Sequence, residues 1–189
     1  KETAKKDIHR YIQNMESDIQ SLDTLIDQVL KLSKIDYQES ELALESFNFK
    51  DFLDNTLDQY HSLLEQRNIG IAHTFPGTMR TTQDKSVLKS ILSNLLDNAV
   101  KYTPKNGIIS IDPLPGPGKG LNFTVANTSS PLDEQELEMI FRPFYRTRGN
   151  TAPGSGLGLT IARKQVKRCK GQIIARNSEK GLTFEIRLP

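Results

Sequence analysis

The 189 residues contain a single cysteine, and no apolar run among them approaches the ~20 residues that a membrane-spanning helix needs. Cys169 therefore has no partner for an internal disulfide and no companion for a cysteine-based metal site, which fits a reducing compartment. Neither sign of charge dominates: 25 basic and 23 acidic side chains leave a net +2. That balance argues against a nucleic-acid binder and against a polybasic membrane anchor. No secretory signal pattern opens the chain, so these residues are expected to be soluble and to make no membrane contact of their own. Proline and glycine are absent between Lys1 and Glu45, so nothing there interrupts a helix.

That stretch carries a heptad seam. Ile8, Ile12, Met15, Ile19, Leu22, Ile26 and Val29 alternate steps of four and three. The spacing predicts one helix of roughly 30 residues, about 50 Å long at 1.5 Å per residue, in need of partner helices. Leu25, Leu30, Leu32 and Ile35 widen the stripe toward what a helix in a four-helix bundle presents; a coiled-coil linker is the alternative. His9 follows a seam position and should point outward, and His61 and His73 have no motif around them. Because the chain opens on Lys1 and enters a helical pattern at once, a piece of a longer protein is expected.

Further along, residues 36–47 read as a linker. Asn48 to Asn68 reads as one amphipathic helix, and Ile69 to Phe75 as a strand before a turn at Pro76 and Gly77. Asp84 to Tyr102 is the most strongly patterned helix, with Val87, Leu88, Ile91, Leu92, Leu95, Leu96 and Ala99 on one side. Ile108 to Ile111 and Leu121 to Ala126 read as a hairpin around the Pro113 to Gly120 turn. Glu134 to Phe141 and Leu157 to Lys170 read as helices. Gln172 to Ala175 and Thr183 to Leu188 read as closing strands around a turn at Glu179 to Gly181. The order implies an α/β fold with a mixed, partly antiparallel sheet and helices on one face.

Two features carry chemistry. Asn94, Asn98 and Lys101 fall at i, i+4 and i+7, on one helix face opposite the leucines. A carboxamide oxygen is a neutral, hard ligand able to complete a Mg²⁺ shell rich in phosphate oxygens, and lysine supplies a point charge to phosphate. A merely solvated face is the plainer reading of the same residues. The second feature is Gly154-Ser155-Gly156-Leu157-Gly158-Leu159, directly before a helical pattern. Glycines let backbone N–H groups approach an anion, and the helix N-terminus adds partial positive charge. No Gly-Lys-Ser/Thr follows and no strand directly precedes, which sets the loop apart from Walker and Rossmann turns.

In this order and spacing, Asn94 to Tyr102 resembles the N box of sensor histidine kinases of two-component systems, and Gly154 to Leu159 resembles their second glycine box. Phe141-Arg142-Pro143-Phe144-Tyr145-Arg146 is similar to their F box, and Gly181-Leu182-Thr183-Phe184 to their last glycine box. The helix ending Leu30 to Asp36 resembles the second helix of the dimerisation and phosphotransfer hairpin. The resemblance implies that residues 1–40 are that helix and residues 41–189 a catalytic ATP-binding domain, a Bergerat-type (GHKL) α/β sandwich. It implies ATP and Mg²⁺ as ligands, with Asn98 on the metal and Asn94 and Lys101 at the phosphates. Tyr102 would border the adenine, Tyr145 and Arg146 would lie against ribose and phosphate, Gly156, Leu157, Gly158 and Leu159 would fold over the triphosphate, and Asn127, Leu132 and Gly154 would also belong to the nucleotide site. Thr147 to Pro153 would form a short lid. The implied reaction is phosphoryl transfer to a histidine outside these residues, then relay to an aspartate of a response regulator. A homodimer through the N-terminal helix and a cytoplasmic position in a membrane-anchored protein belong to the same expectation.

Two departures qualify it. Where the family carries Asp-x-Gly-x-Gly, this chain has Asn127-Thr128-Ser129-Ser130-Pro131. Asn127 still offers a carbonyl to an adenine amino group, but without charge assistance, a loss of about 1 kcal/mol. Ser129 adds ~1–3 kcal/mol if the backbone must sit where glycine did, and Pro131 removes an N–H. Weaker ATP binding is expected unless the loop takes another conformation. Second, no His-Glu-x-x-x-Pro-like phosphoacceptor sequence occurs, so these residues alone are not expected to autophosphorylate. The competing readings are a non-catalytic signalling module with a degenerate nucleotide site, and an ATPase of the chaperone or mismatch-repair type.

Overall fold

Within the stretch that has no proline or glycine, residues 2–37 form one continuous helix. A computed structural model describes residues 2–37, 41–114, 120–147 and 154–189, excluding the side chains of 2–10, 17, 36 and 37. In it α1 spans Glu2–Tyr37. Its seam stays out of the core: Ile12, Met15, Ile19, Leu22, Ile26 and Val29 are 40–63% exposed. Leu25, Leu32 and Ile35, on the adjoining stripe, are half-buried. The orientation of His9 lies outside the described side chains.

Residues 36–47 are not all linker. Their end enters β1 (Leu44–Asn48), which pairs antiparallel with β3 (Arg80–Asp84), Leu44 opposite Asp84. Neither strand is visible as hydrophobic alternation, because the inward residues of β3 are Thr81 and Gln83, both buried. Gln83 meets its own need there, donating from Nε2 to the Pro189 carbonyl at 2.8 Å. The expected helix over 48–68 is also divided. α2 (Phe49–Leu57) and α3 (His61–Arg67) are separated by a 3₁₀ turn at Asp58–Tyr60. That turn aims the Tyr60 hydroxyl at Asp97 Oδ1, 2.8 Å away.

The principal sheet contains β2 (Gly70–His73), β4 (Ile108–Pro113), β5 (Asn122–Asn127), β6 (Gln172–Ser178) and β7 (Gly181–Arg187) in the order β2-β4-β5-β7-β6. β2 runs parallel to β4, and the other neighbours are antiparallel, so the sheet is mixed. β4 and β5 form the expected hairpin, whose tip at residues 115–119 lies outside the described residues. β7 alternates regularly, with Leu182, Phe184 and Ile186 buried between half-buried neighbours. Three helices complete the fold: α4 (Lys85–Tyr102), the short α5 (Glu134–Met139) and α6 (Gly158–Arg168).

α4 packs over β5 and beside α6. All seven apolar residues read as its inner side are buried. Beneath it the fully buried Phe49 ring lies 5.0 Å from Phe75 and 5.4 Å from Phe123, centroid to centroid. Cys169 is buried in this core, and burial pushes its thiol pKa up.

Both ends of α4 are tied down. At its start the Asp84 carboxylate accepts from the backbone N–H groups of Ser86 (2.9 Å), Val87 (3.1 Å) and Ala43 (3.0 Å). At its end Arg67 donates to the carbonyls of Val100 and Thr103, occupying acceptors that the helix itself cannot satisfy. Burial alone would raise the Asp84 pKa, but a hydrogen bond from the Ser86 hydroxyl at 2.6 Å, together with these backbone bonds, outweighs it and holds the carboxyl below its ordinary value. A group lowered in this way stabilises the fold above its unfolded pKa, near 4, and loses that contribution as pH falls toward the folded value. Asp84→Ala should therefore cost about 1–2 kcal/mol at pH 7 in urea unfolding. The gap from wild type should narrow below about pH 4; a constant gap would show that the charged cap is not its source.

Candidate functional site

The outer side of α4 forms one wall of a cleft of about 450 Å³. Asn94, Asn98, Lys101 and Tyr102 all line it, as the helical spacing requires. Asn94 and Lys101 are placed by neighbours. Asn94 donates from Nδ2 to the Ser90 carbonyl at 2.7 Å, which leaves its Oδ1 directed at the glycine turn. Lys101 Nζ sits 4.7 Å from the centre of the Tyr102 ring. Asp97, one residue before Asn98, lines the cleft too. Its carboxyl pKa is raised by desolvation, against the opposing effects of the Tyr60 hydrogen bond and the positive charge of Lys31 on α1.

The opposite wall is the glycine-rich turn. Gly154, Gly156, Gly158 and Leu159 line the cleft, and α6 begins at Gly158 without a side-chain cap, so its first N–H groups are not met by a capping side chain. The glycines have distinct reasons. Gly154 (φ +146°) passes so close to Lys101 that a Cβ would lie 2.7 Å from Nζ. Gly156 (φ +74°) lies against the chain at 144–145, where a Cβ would come within 2.8 Å of the Tyr145 carbonyl. Phe144 answers by adopting φ +62° and donating its N–H to the Gly156 carbonyl at 3.2 Å. At Gly158 a Cβ would approach Asn94 Oδ1 to 3.1 Å, so the two polar walls are fitted to each other.

Tyr145 and Arg146 close one side, while Leu132, Ile140 and Leu182 make the other end apolar. Two of the expected residues are not in the wall. Leu157 is fully buried in the core and contributes only its backbone to the turn, its N–H bonded to Ser155 Oγ at 3.1 Å. Asn127 is 1% exposed and lies behind the lining. Ser129 and Ser130 line the cleft in its stead, and neither they nor Pro131 adopts positive φ. The strain anticipated for Ser129 is therefore absent: the loop follows a path that needs no glycine, with Ser129 Oγ accepting from Leu182 N–H at 3.1 Å. Of the expected lid, Thr147 lines the cleft, and residues 148–153 lie outside the described residues.

Sequence reasoning did not select Asp97, Ile140, Leu182 or Gln28. Asp97 and Leu182 stood inside patterned segments and could have been found by helical and strand phase. Gln28 could not, because it reaches the cleft only through the packing of α1 against α6, where it accepts from Ser155 Oγ.

A family profile described as histidine kinase-, DNA gyrase B- and HSP90-like ATPase matches residues 83–189, more than half of the chain. The chain belongs to this ATPase family. Within it, the similarity is to histidine kinases. The sensor histidine protein kinase HK06 of Streptococcus pneumoniae serotype 2 is 30% identical over 185 residues, covering 97% of this chain and 40% of that protein. The adaptive-response sensory kinase SasA of Synechococcus elongatus is 27% identical over 176 residues, 92% of this chain and 46% of that protein. The chain thus spans less than half the length of these relatives. Among solved structures, histidine kinase ThkA in complex with response regulator protein TrrA matches with a TM-score of 0.78 and 27% identity, over 95% of this chain and 50% of that one. These findings make the chain a histidine kinase ATPase-type catalytic domain, a kind of domain that binds ATP, with an added N-terminal helix. No helix among the described residues is long and apolar enough to cross a membrane.

The glycines give a separable prediction. Gly156→Ala combines a left-handed φ with a backbone clash and should cost about 1–3 kcal/mol in urea unfolding. Gly158→Ala stands in a helical turn and should stay within about 1 kcal/mol of wild type. Equal losses would mean that the positive φ at Gly156 does not constrain the turn.

Proposed function

We propose that the cleft binds Mg-ATP and directs its γ-phosphoryl group to a histidine outside these 189 residues, for relay to an aspartate of a response regulator. The observation that carries this reading is the convergence of Asn94, Asn98 and Lys101 on the glycine turn and the start of α6 around one cleft with an apolar far end. That division suits a nucleotide: phosphates at the cationic, N–H-rich end, and the base against Leu132, Ile140 and Leu182.

The donor set fits magnesium. The side chains facing the phosphate end offer amide and carboxylate oxygens, hard ligands, and among the described residues neither imidazole nor thiol lines the cleft. Asn98, aided by the adjacent Asp97, would hold the ion, which when bound neutralises charge on the phosphates. Lys101 would meet the phosphates as a point charge, and the turn at 154–158 would present backbone N–H groups to them. Tyr145 and Arg146 would flank ribose and phosphate. In the transfer, the bond from the γ-phosphorus to the ADP oxygen breaks as an imidazole nitrogen donates its lone pair to phosphorus. The chain's share is positioning and charge stabilisation, since such transition states leave little covalent chemistry to the protein.

The exposed seam of α1 supports a homodimer formed through that helix in the longer protein, and kinship with sensor proteins supports a cytoplasmic place in a membrane-anchored one. The absence of backbone strain at Ser129 favours retained nucleotide binding over a degenerate, non-catalytic site.

In calorimetry, Asn98→Ala and Lys101→Ala should each weaken Mg-ATP binding by about tenfold or more. In the full-length protein, radiolabelled ATP should yield an acid-labile phosphohistidine that Asn98→Ala abolishes. Steady ATP hydrolysis without phosphohistidine would overturn the kinase reading in favour of a chaperone-like ATPase.

A further inference from the structure

Of the described side chains of α1, only Leu25, Gln28, Leu32 and Ile35 are half-buried, and the others are exposed. Steps of three, four and three put these residues on one face of the helix, and α1 packs against α6. Gln28 is the polar exception on that apolar face. It is also the residue of α1 that lines the cleft.

Its amide is held in one orientation. Ser155 Oγ accepts from the Leu157 N–H at 3.1 Å, which leaves the hydroxyl proton to donate, and Gln28 Oε1 accepts it. The nitrogen of the same amide then has donors to spare: Gln28 Nε2 makes no hydrogen bond among the described residues. That donor stands where other positive groups gather. Ser155 follows Gly154, whose backbone runs beside Lys101 Nζ, and precedes the uncapped start of α6 at Gly158. Lys31, one turn beyond Gln28, acts with its positive charge on Asp97 of the opposite wall. Gln28 and Lys31 thus make α1 a third side of the polar end. An ammonium, backbone N–H groups and an oriented carboxamide N–H together are complementary to phosphate oxygens.

We propose that Gln28 is a nucleotide-binding residue of this cleft, donating from Nε2 to a phosphate oxygen of Mg-ATP, so that bound nucleotide holds α1 against the catalytic domain. This rests on reading the cleft as a Mg-ATP site. Ser155 is the positioning residue, because its hydroxyl fixes which end of the amide faces the ligand. The coupling is reciprocal: whatever Gln28 adds to nucleotide affinity, nucleotide adds to the docking of α1.

The test is calorimetric titration of this chain and its variants with Mg-ATP, joined to hydrogen exchange of α1. Gln28→Ala removes the donor and should weaken binding roughly tenfold, the effect of losing one hydrogen bond to a charged oxygen. Gln28→Glu keeps an acceptor for Ser155 but turns an anionic oxygen toward the phosphates, and should weaken binding at least as much. At saturating Mg-ATP, amide exchange around Gln28 should slow in the wild type and not in Gln28→Ala. Wild-type affinity in either variant, or no nucleotide-dependent protection of α1, overturns the proposal while leaving ATP binding intact. Tighter binding by Gln28→Ala overturns it in the opposite sense, showing that Gln28 obstructs the site. A wild-type chain that binds no Mg-ATP refutes the nucleotide reading and the proposal together.

Discussion

Helix α4 is amphipathic in a demanding sense, because both of its sides are committed. One side is the lid of the core, with Leu88, Ile91, Leu92, Leu95, Leu96 and Ala99 almost wholly buried. The other carries Asn94, Asn98 and Lys101 into the cleft. A rotation that relieved either side would spoil the other, so the helix must be held in phase and in register along its axis. Asp84 sets the start by joining three backbone donors, one of them from the approach to β1. Arg67 sets the end by gripping the terminal carbonyls from α3. The small β1–β3 sheet and the divided α2–α3 segment thus act as mounts for α4, which explains why they exist outside the principal sheet.

The facing wall depends on that phase. Gly158 leaves room for the Asn94 amide, Gly154 for the Lys101 ammonium, and Gly156 for the backbone at residues 144–145. Three glycines within five residues therefore answer three different neighbours. The first two fit the turn to α4, and the third locks it to the segment bearing Tyr145 and Arg146. The result is a polar end where cations and N–H groups meet oxygen ligands, continuous with an apolar end built by β7 and the loop after β5. Tyr60 adds a brace by bonding Asp97 from the turn between α2 and α3. Lys31 and Gln28 bring α1 to the same rim.

Much of this was legible because its signals are local. The α4 pattern repeats at helical period over five turns, and the phase of the asparagines relative to the leucines follows from 3.6 residues per turn. The glycine run before a helix states a backbone requirement in composition alone. The hairpins announce themselves by turn residues between β-branched and aromatic runs. What escaped was non-local. β3 turns Thr81 and Gln83 inward, and the hydrogen bond that Gln83 makes to the Pro189 carbonyl is one that no hydrophobic period records. The break at Tyr60 contains neither proline nor glycine, and serves a contact with α4 thirty-seven residues away.

The sequence by itself determined most of the elements after residue 84, the polar face of α4, the anion-binding turn and the departure at Asn127 to Pro131, because each resides in the covalent spacing of near neighbours. Only the tertiary structure decided which of these residues meet. It withdrew Leu157 into the core and brought Gln28 to the cleft. It routed Ser129 along a backbone path free of left-handed strain, and it set Asn127 beside Leu182 with a buried, unpartnered oxygen. Those outcomes depend on strand register and helix packing between segments 53 to 127 residues apart, distances over which no local pattern carries information.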